Sequence, residues 1–442
     1  MKHLSLVLAL LICIGAPLTS LQAQDDSSRI GLGDYGQTTV LDNRFNPAIS
    51  FIGDMVATWS DDEGIEAGAD GFKLRGAEIG LFGAVDNAYE FHGIIFFDDE
   101  DVELEEAYVL ATDWLTPTSH IKAGRFNMDF GKLSPIHDGE LPMMDKPSVL
   151  QEYIGGTLKG TGAELHWWSP LGDTSLLRGS IGVFQSADSD AHVILGPGGG
   201  HHHHEDEEEE EEGPLREAGD FAINARLSTL FDVTDSATLQ LGGSLMTAPE
   251  RVFGVDEDDI QDVNKSVMGL DLTYVDMDES NGSGFRFQAE ALMNDQDEGE
   301  LDETDPLNPV FNVTNTEASG FYVMAERVMD SRNTIGFSFN QYEHAEDSAE
   351  ESSDFGVFYT KKLNEFNRLR FEVRSFKDLV LEEDGVGESV RGVGAAEAGA
   401  ERKIATHHLW LRCTLRAGER RTAVHPRGWP KLDSMRVRGR GA

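Results

Sequence analysis

From residue 49 to about residue 378 the chain alternates apolar and polar residues in short runs broken by Asp, Asn, Gly and Ser. A repeat of two is the repeat of a β-strand, whose successive side chains point to opposite faces. Residues 334–342 show the pattern clearly. Ile335, Phe337 and Phe339 fall on one face, and Gly336, Ser338 and Asn340 fall on the other. No helical periodicity of comparable length runs through the chain.

The start of the chain carries the features of an export signal. Met1, Lys2 and His3 give a short basic head, and Leu4 to Pro17 form an apolar core. Leu21, Gln22 and Ala23 make a cleavage site before Gln24. No later stretch offers the roughly 18 consecutive apolar residues that a membrane helix needs. An exported chain with two-faced strands can place the wet face in a lumen and the greasy face against lipid, and a secreted soluble β-rich protein with its greasy faces paired inward is the alternative. The expected fold is therefore an all-β, transmembrane antiparallel β-barrel in the outer membrane of a Gram-negative-type bacterium, inserted by the cell's barrel-insertion machinery and surrounded by outer-membrane lipid.

The expected organisation is a signal peptide over residues 1–23, a short periplasmic lead over 24–44, a barrel over 45–385 and a basic tail over 386–442. Fifteen strands can be drafted, starting near residues 49, 72, 89, 102, 120, 162, 176, 222, 237, 267, 284, 320, 334, 355 and 369. At about 9–11 residues per tilted strand the region holds roughly 14 to 18 strands. Short bends at Asp86 and Asp232 alternate with long acidic excursions at 61–70, 188–219, 251–265, 295–316 and 344–354. Short turns on one side and long loops on the other are a barrel's pattern. The tail breaks it, since residues 391–442 carry 12 Lys and Arg against 4 Asp and Glu. No strand is expected there, and two readings stay open: a basic disordered tail, or a shifted reading frame that has replaced a native last strand.

Eighty acidic residues against 36 basic ones give a net charge of −44, which excludes nucleic acid as a partner and favours cations near a pore. One of the two cysteines lies in the signal, so Cys413 has no partner for an internal disulfide. The chain has no Gly-x-Ser-x-Gly, no His-Glu-x-x-His and no phosphate-cradling glycine loop. No enzyme is expected, and no cofactor is required.

Glu105, Glu106, Ala107, Tyr108 and Val109 end one strand, and Gly124, Arg125, Phe126, Phe130, Gly131 and Lys132 follow after a turn. This acidic-Ala-Tyr strand followed by Gly-Arg-Phe and Phe-Gly resembles the phosphate-selective porin O and P superfamily of outer-membrane channels. Residues 133–142 and 145–147 look like a subgroup often labelled zinc-regulated TonB-dependent receptors. The similarity covers about residues 45–168. The resemblance implies a porin-like barrel that passes small solutes by diffusion, a homotrimer as an option, and Lys122, Arg125 and Lys132 as channel residues, to which the strands' own Glu103 and Glu105 are added. The strands carry mainly Glu and Asp, among them Glu78, Glu90 and Glu164, so cations are the expected favourites. Active TonB-coupled transport is not expected, because a plug domain and a barrel of about 22 strands would need a longer chain. The chain also ends in Gly441 and Ala442, where such barrels tend to carry an aromatic residue. Gly124 and Gly131 fit places where a loop folds tightly against a wall.

His201, His202, His203, His204, Glu205 and Asp206 open a tract that continues as six glutamates to Glu212, between glycine-rich flanks. Adjacent imidazoles and carboxylates suit zinc and other divalent metals, and a tract without fixed spacing suits weak, exchangeable capture. A solvated low-complexity loop is the plainer reading of the same residues. His137 with Asp138 and Glu140 is a second candidate group, against the plainer reading of a polar loop. The leading expectation is a passive, cation-favouring channel with a metal-binding external loop. The alternative is a metal-capturing outer-membrane receptor whose barrel is mainly an anchor.

Overall fold

A computed structural model describes residues 48–60, 71–85, 88–98, 102–112, 114–172, 174–185, 221–254, 260–278, 280–302, 310–364, 367–382, 385–387 and 406–417. The expected signal and lead, the His201–Asp206 tract and the excursions at 61–70 and 188–219 lie outside the described residues.

Among the described residues seventeen strands join in one sheet. The first seven are β1 (Ala48–Ser60), β2 (Gly71–Ala84), β3 (Tyr89–Phe97), β4 (Val102–Thr112), β5 (Ser119–Asn127), β6 (Lys159–Pro170) and β7 (Ser175–Phe184). The next five are β8 (Ala222–Asp232), β9 (Ala237–Gly254), β10 (Ile260–Asp278), β11 (Ser283–Asp302) and β12 (Val310–Val328). The last are β13 (Asn333–Glu343), β14 (Glu350–Lys362), β15 (Asn367–Glu382), the three-residue β16 (Gly385–Gly387) and β17 (Thr406–Ala417). From β1 to β15 each strand pairs antiparallel with the next. β17 pairs with β15 on one side and with β1 on the other, so the succession of pairings that leaves β1 returns to it.

The two-residue repeat decides which way each face turns. In β13, Ile335 and Phe337 are 44% and 41% exposed, whereas Ser338 and Asn340 are buried. Neighbouring strands repeat this, with Phe355, Val357, Phe371 and Val373 outward and Asp354, Glu372 and Arg374 enclosed. Rings meet across strands, Phe337 and Phe355 tilted at 6.4 Å and Tyr359 and Phe371 stacked at 6.3 Å. An apolar outside around a charged inside is inverted relative to a protein that folds in water, and it suits a wall whose outer solvent is hydrocarbon. No described helix is long and apolar enough to cross a membrane.

All fifteen drafted strands are present, but short and long connections do not alternate throughout, since the connection at 98–101 between β3 and β4 is shorter than the one at 113–118 between β4 and β5. Two further expectations need correction. The acidic stretches at 251–265 and 295–316 are mostly strand, since β9 to β12 run on to 18–20 residues each. Amide side chains make this affordable by sitting between like charges. Asn315 donates to Asp295 at 2.8 Å and to Asp297 at 2.9 Å, and Asn264 donates to Asp297 at 3.0 Å. Likewise β14 begins at Glu350, which shortens the 344–354 excursion to six connecting residues, 344–349. The tail is the second correction: β17 occupies Thr406–Ala417, where no strand was expected. Its backbone supplies the ladder partner that β1 and β15 both need, and ladder pairing does not depend on the tail's unusual charge.

Candidate channel constriction

Between β5 and β6 the chain does not turn back at once. Residues 128–158 leave the wall and run through the interior, carrying a 3₁₀ turn at Asp138–Glu140 and a short helix α1 (Ser148–Ile154). The amide of Met128 donates to the carbonyl of Leu158 at 2.8 Å and closes the base of this excursion. Met128, Phe130, Leu133, Met143, Leu150 and Tyr153 are fully buried and pack against Phe184, Met246, Leu292, Tyr322 and Phe358 of the wall. Apolar packing therefore draws the segment inward, a gain of about 1.5–3 kcal/mol per large side chain buried.

Polar bonds then fix it against successive wall strands. The Asp129 carboxylate accepts from Ser180 of β7 at 2.9 Å and from Arg178 at 3.3 Å, and its carbonyl accepts from Asn224 of β8 at 3.1 Å. Burial would raise the Asp129 pKa, but Arg178, His166 and Arg226 hold it below the usual carboxylate value. The Gly131 amide donates to Ser244 of β9 at 3.0 Å, and the Lys132 amide donates to Glu290 of β11 at 3.3 Å. Tyr322 of β12 also donates to Glu290, at 3.0 Å. Arg370 of β15 donates to the carbonyls of Met143, at 2.6 Å, and Leu141, while Glu372 accepts from the Met144 amide at 2.7 Å. Ser148 at the start of α1 donates to Asp354 of β14 at 2.6 Å, and Tyr153 donates to the Glu343 carbonyl at 2.9 Å. Within the segment, the buried ammonium of Lys146 donates to the Ser134 carbonyl at 2.7 Å and to the Thr157 hydroxyl.

Two β-bulges aim the wall at this segment. The β1–β2 register passes from Asp54 with Gly76 to Met55 with Leu74, skipping Arg75. The β3–β4 register passes from Ile94 with Glu106 to Ile95 with Leu104, skipping Glu105. An extra residue lets two adjacent side chains turn to the same face. Arg75 thus reaches Asp145 at 2.7 Å, Asp138 at 3.0 Å and the Met144 carbonyl at 3.0 Å. Glu105 and Glu106 together flank His137, with Glu105 3.1 Å from Nδ1 and Glu106 3.4 Å from Nε2. Burial alone would lower the imidazole pKa, but the bonds to Glu105 and Glu106 hold it well above the ordinary histidine value.

The motif glycines sit at close crossings. Gly124 has φ +135°, and a Cβ there would lie 2.2 Å from the Ala107 carbonyl oxygen and 2.8 Å from Cα of Tyr108. Gly131 has φ +58°, and a Cβ would lie 2.1 Å from Oε1 of Glu290 on the far wall. Gly131 fits the expected loop-to-wall position, whereas Gly124 lies within β5 against the β4 backbone, where only glycine fits. Tyr108 itself stacks on His92 at 4.8 Å and meets Phe126 edge-on at 5.7 Å.

A cavity of about 320 Å³ borders the segment, lined by Lys122, Lys132, Arg178 and Arg226 together with Asp129 and His166. Arg226 forms a two-pronged pair with Asp271 at 2.7 and 2.9 Å. Lys132 donates to Gln240 at 2.9 Å, and burial, aided by Arg226, lowers its ammonium pKa to about 8. Cations thus cluster on the β5–β8 side, while Glu78, Glu105 and Glu106 gather on the β2–β4 side.

A strand order in which neighbours in sequence are neighbours in the sheet, with an inward segment after β5, invites comparison with known barrels. An anion-selective porin from Comamonas acidovorans superposes with a TM-score of 0.51 at 8% identity, over 84% of this chain and 99% of the other. The fold is that of a porin barrel. A Salmonella typhi OmpF in complex with daunomycin gives a TM-score of 0.49 at 13% identity over 86% of this chain and 100% of the other. By sequence, an uncharacterized protein of Aquifex aeolicus (strain VF5) is 30% identical over 101 residues, which are 23% of this chain. The match spans 21% of that relative's length. No family model matches.

Within this porin barrel four of the five expected channel residues face the interior. Lys122 lies 5.3 Å from the ring centres of both Tyr108 and Phe126 and lines the cavity, as does Lys132. Glu103 pairs with Lys159, and Glu105 meets His137. Arg125 is half-buried, lies one position out of phase with Lys122 and Phe126, and is not part of the cavity lining. His137 was expected beside Asp138 and Glu140, whereas its ring meets Glu105 and Glu106. Arg226, Glu290 and Arg370 escaped the sequence reading.

Proposed function

We propose that this protein is a porin-like channel of a Gram-negative-type outer membrane, through which small solutes diffuse passively. The observation that carries this reading is a charged interior, enclosed by an outward apolar wall, into which one anchored segment narrows the way. The acidic-Ala-Tyr and Gly-Arg-Phe pair supports kinship with the phosphate-selective porin O and P group. Cation preference follows from the net charge of −44, because focused negative potential raises local cation concentration. The cations at Lys122, Lys132, Arg178 and Arg226 make the passage two-signed, with the acidic side dominant. The His201–Asp206 tract adds weak capture of divalent metal such as zinc, and a homotrimer is the assembly the resemblance implies.

Planar-bilayer recording of refolded protein under a salt gradient tests this. A reversal potential of cation-selective sign is the expected result. Absence of current from protein with native β-structure would overturn the channel reading, and an anion-selective sign would overturn the preference.

The apolar packing of residues 128–158 inside the wall favours a second reading, a metal-capturing receptor whose barrel is an anchor. Deleting residues 201–212 separates the two. Conductance persists for a channel, and metal-dependent growth fails for a receptor.

A further inference from the structure

We propose that Glu78, Glu105 and His137 form a binding site for a divalent transition-metal ion inside the barrel, with Glu106 as the carboxylate that orients the imidazole. The site is separate from the His201–Asp206 tract and does not rest on the channel reading, since it is read by binding in solution.

One donor atom from each of the three residues lies within 4.8 Å of the other two. Metal bonds to imidazole and carboxylate are about 2.0–2.2 Å, so the side chains must close in on one another to bring such a trio into one shell. One imidazole and two carboxylates suit zinc, cobalt, iron or manganese better than calcium, which prefers oxygen alone. The three come from separate elements: Glu78 from β2, Glu105 from the bulge of β4, and His137 from the interior segment. The Gly139 backbone passes close to Glu78, with an added Cβ lying 4.0 Å from its Oε1.

Three further observations point to an ion. Oε2 of Glu105 is enclosed and accepts no hydrogen bond, which is costly for a carboxylate unless something binds it. Glu106 stands 3.4 Å from Nε2 of His137 and also accepts from the Asn127 amide at 2.9 Å. A carboxylate held on the far nitrogen is the usual way to fix the tautomer of a ligating histidine. The closest ion pairs of Arg75 and Lys159 are with other carboxylates: Arg75 with Asp138 and Asp145, and Lys159 with Glu103.

The test uses the full chain with His201, His202, His203 and His204 all replaced by Ala, refolded in detergent and titrated with Co²⁺ at neutral pH. One Co²⁺ per barrel with visible d–d absorption, displaced by Zn²⁺, is expected. Glu78→Gln, Glu105→Gln and His137→Ala should each weaken binding about tenfold or more, while Asp347→Asn in a remote turn leaves it unchanged. Heat-modified gel mobility checks that each variant is folded, and Glu78→Gln decides the matter if His137→Ala does not fold. Absence of a stoichiometric cobalt spectrum, or equal affinity in Glu78→Gln and the parent, would overturn the site.

Discussion

Single residues in this wall are constrained from two sides. Gly124 is the clearest case, because its left-handed backbone and the carbonyl of Ala107 leave no room for a side chain. Gly124→Ala should cost roughly 3 kcal/mol, combining backbone strain with an overpacked crossing. Urea unfolding followed by tryptophan fluorescence measures this, and a loss near zero would mean that β4 and β5 separate easily. Gly131 faces a softer obstacle, the end of the Glu290 side chain. Arg370 is constrained by what it holds: buried and bonded to two carbonyls of the interior segment, it is a charge whose removal strands both acceptors.

At the level of elements, the bulge at Glu105 has a sharp consequence. Leu104 and Glu106 already pair with the consecutive residues Ile95 and Ile94, so deleting residue 105 restores an unbroken ladder. The shortened chain should form a barrel with unchanged heat-modified mobility and should lose the high-affinity Co²⁺ signal. Failure to fold would show that β4 needs the bulge for closure. Part of this was legible in the sequence. In β4 the apolar positions run Val102, Leu104 and then Ala107, Val109, Ala111, so the phase slips by one residue. In β2 they run Phe72, Leu74 and then Ala77, Ile79, Leu81, with the same slip at Arg75. The strands themselves were readable because lipid and lumen impose opposite preferences on alternate residues. The partners of Arg75 and Glu105 were not, because they lie some 60 and 30 residues away on a segment with no repeat of its own. The acidic ends of β9 to β12 were unreadable for another reason: above an apolar belt a strand keeps its ladder but loses its greasy face.

For the whole molecule, the unexpected strand matters most. Among the described residues β17 links β15 to β1, so removal of residues 406–417 takes away the partner that both strands share. That deletion should abolish the compact, heat-modifiable form on gels, and a compact form that persists would mean that β1 and β15 find each other directly. Charge could not announce this strand, since its basic surroundings resemble a tail and only backbone pairing reveals its place. The interior segment has a different whole-molecule meaning. It is bonded to β7, β8, β9, β11, β14 and β15 and to the Arg75 bulge of β2, on several sides of the ring at once. In mechanical terms it is a cross-brace: squeezing the ring along one diameter loads those bonds and moves the brace. The gap beside the brace and the roundness of the wall are thereby a single variable.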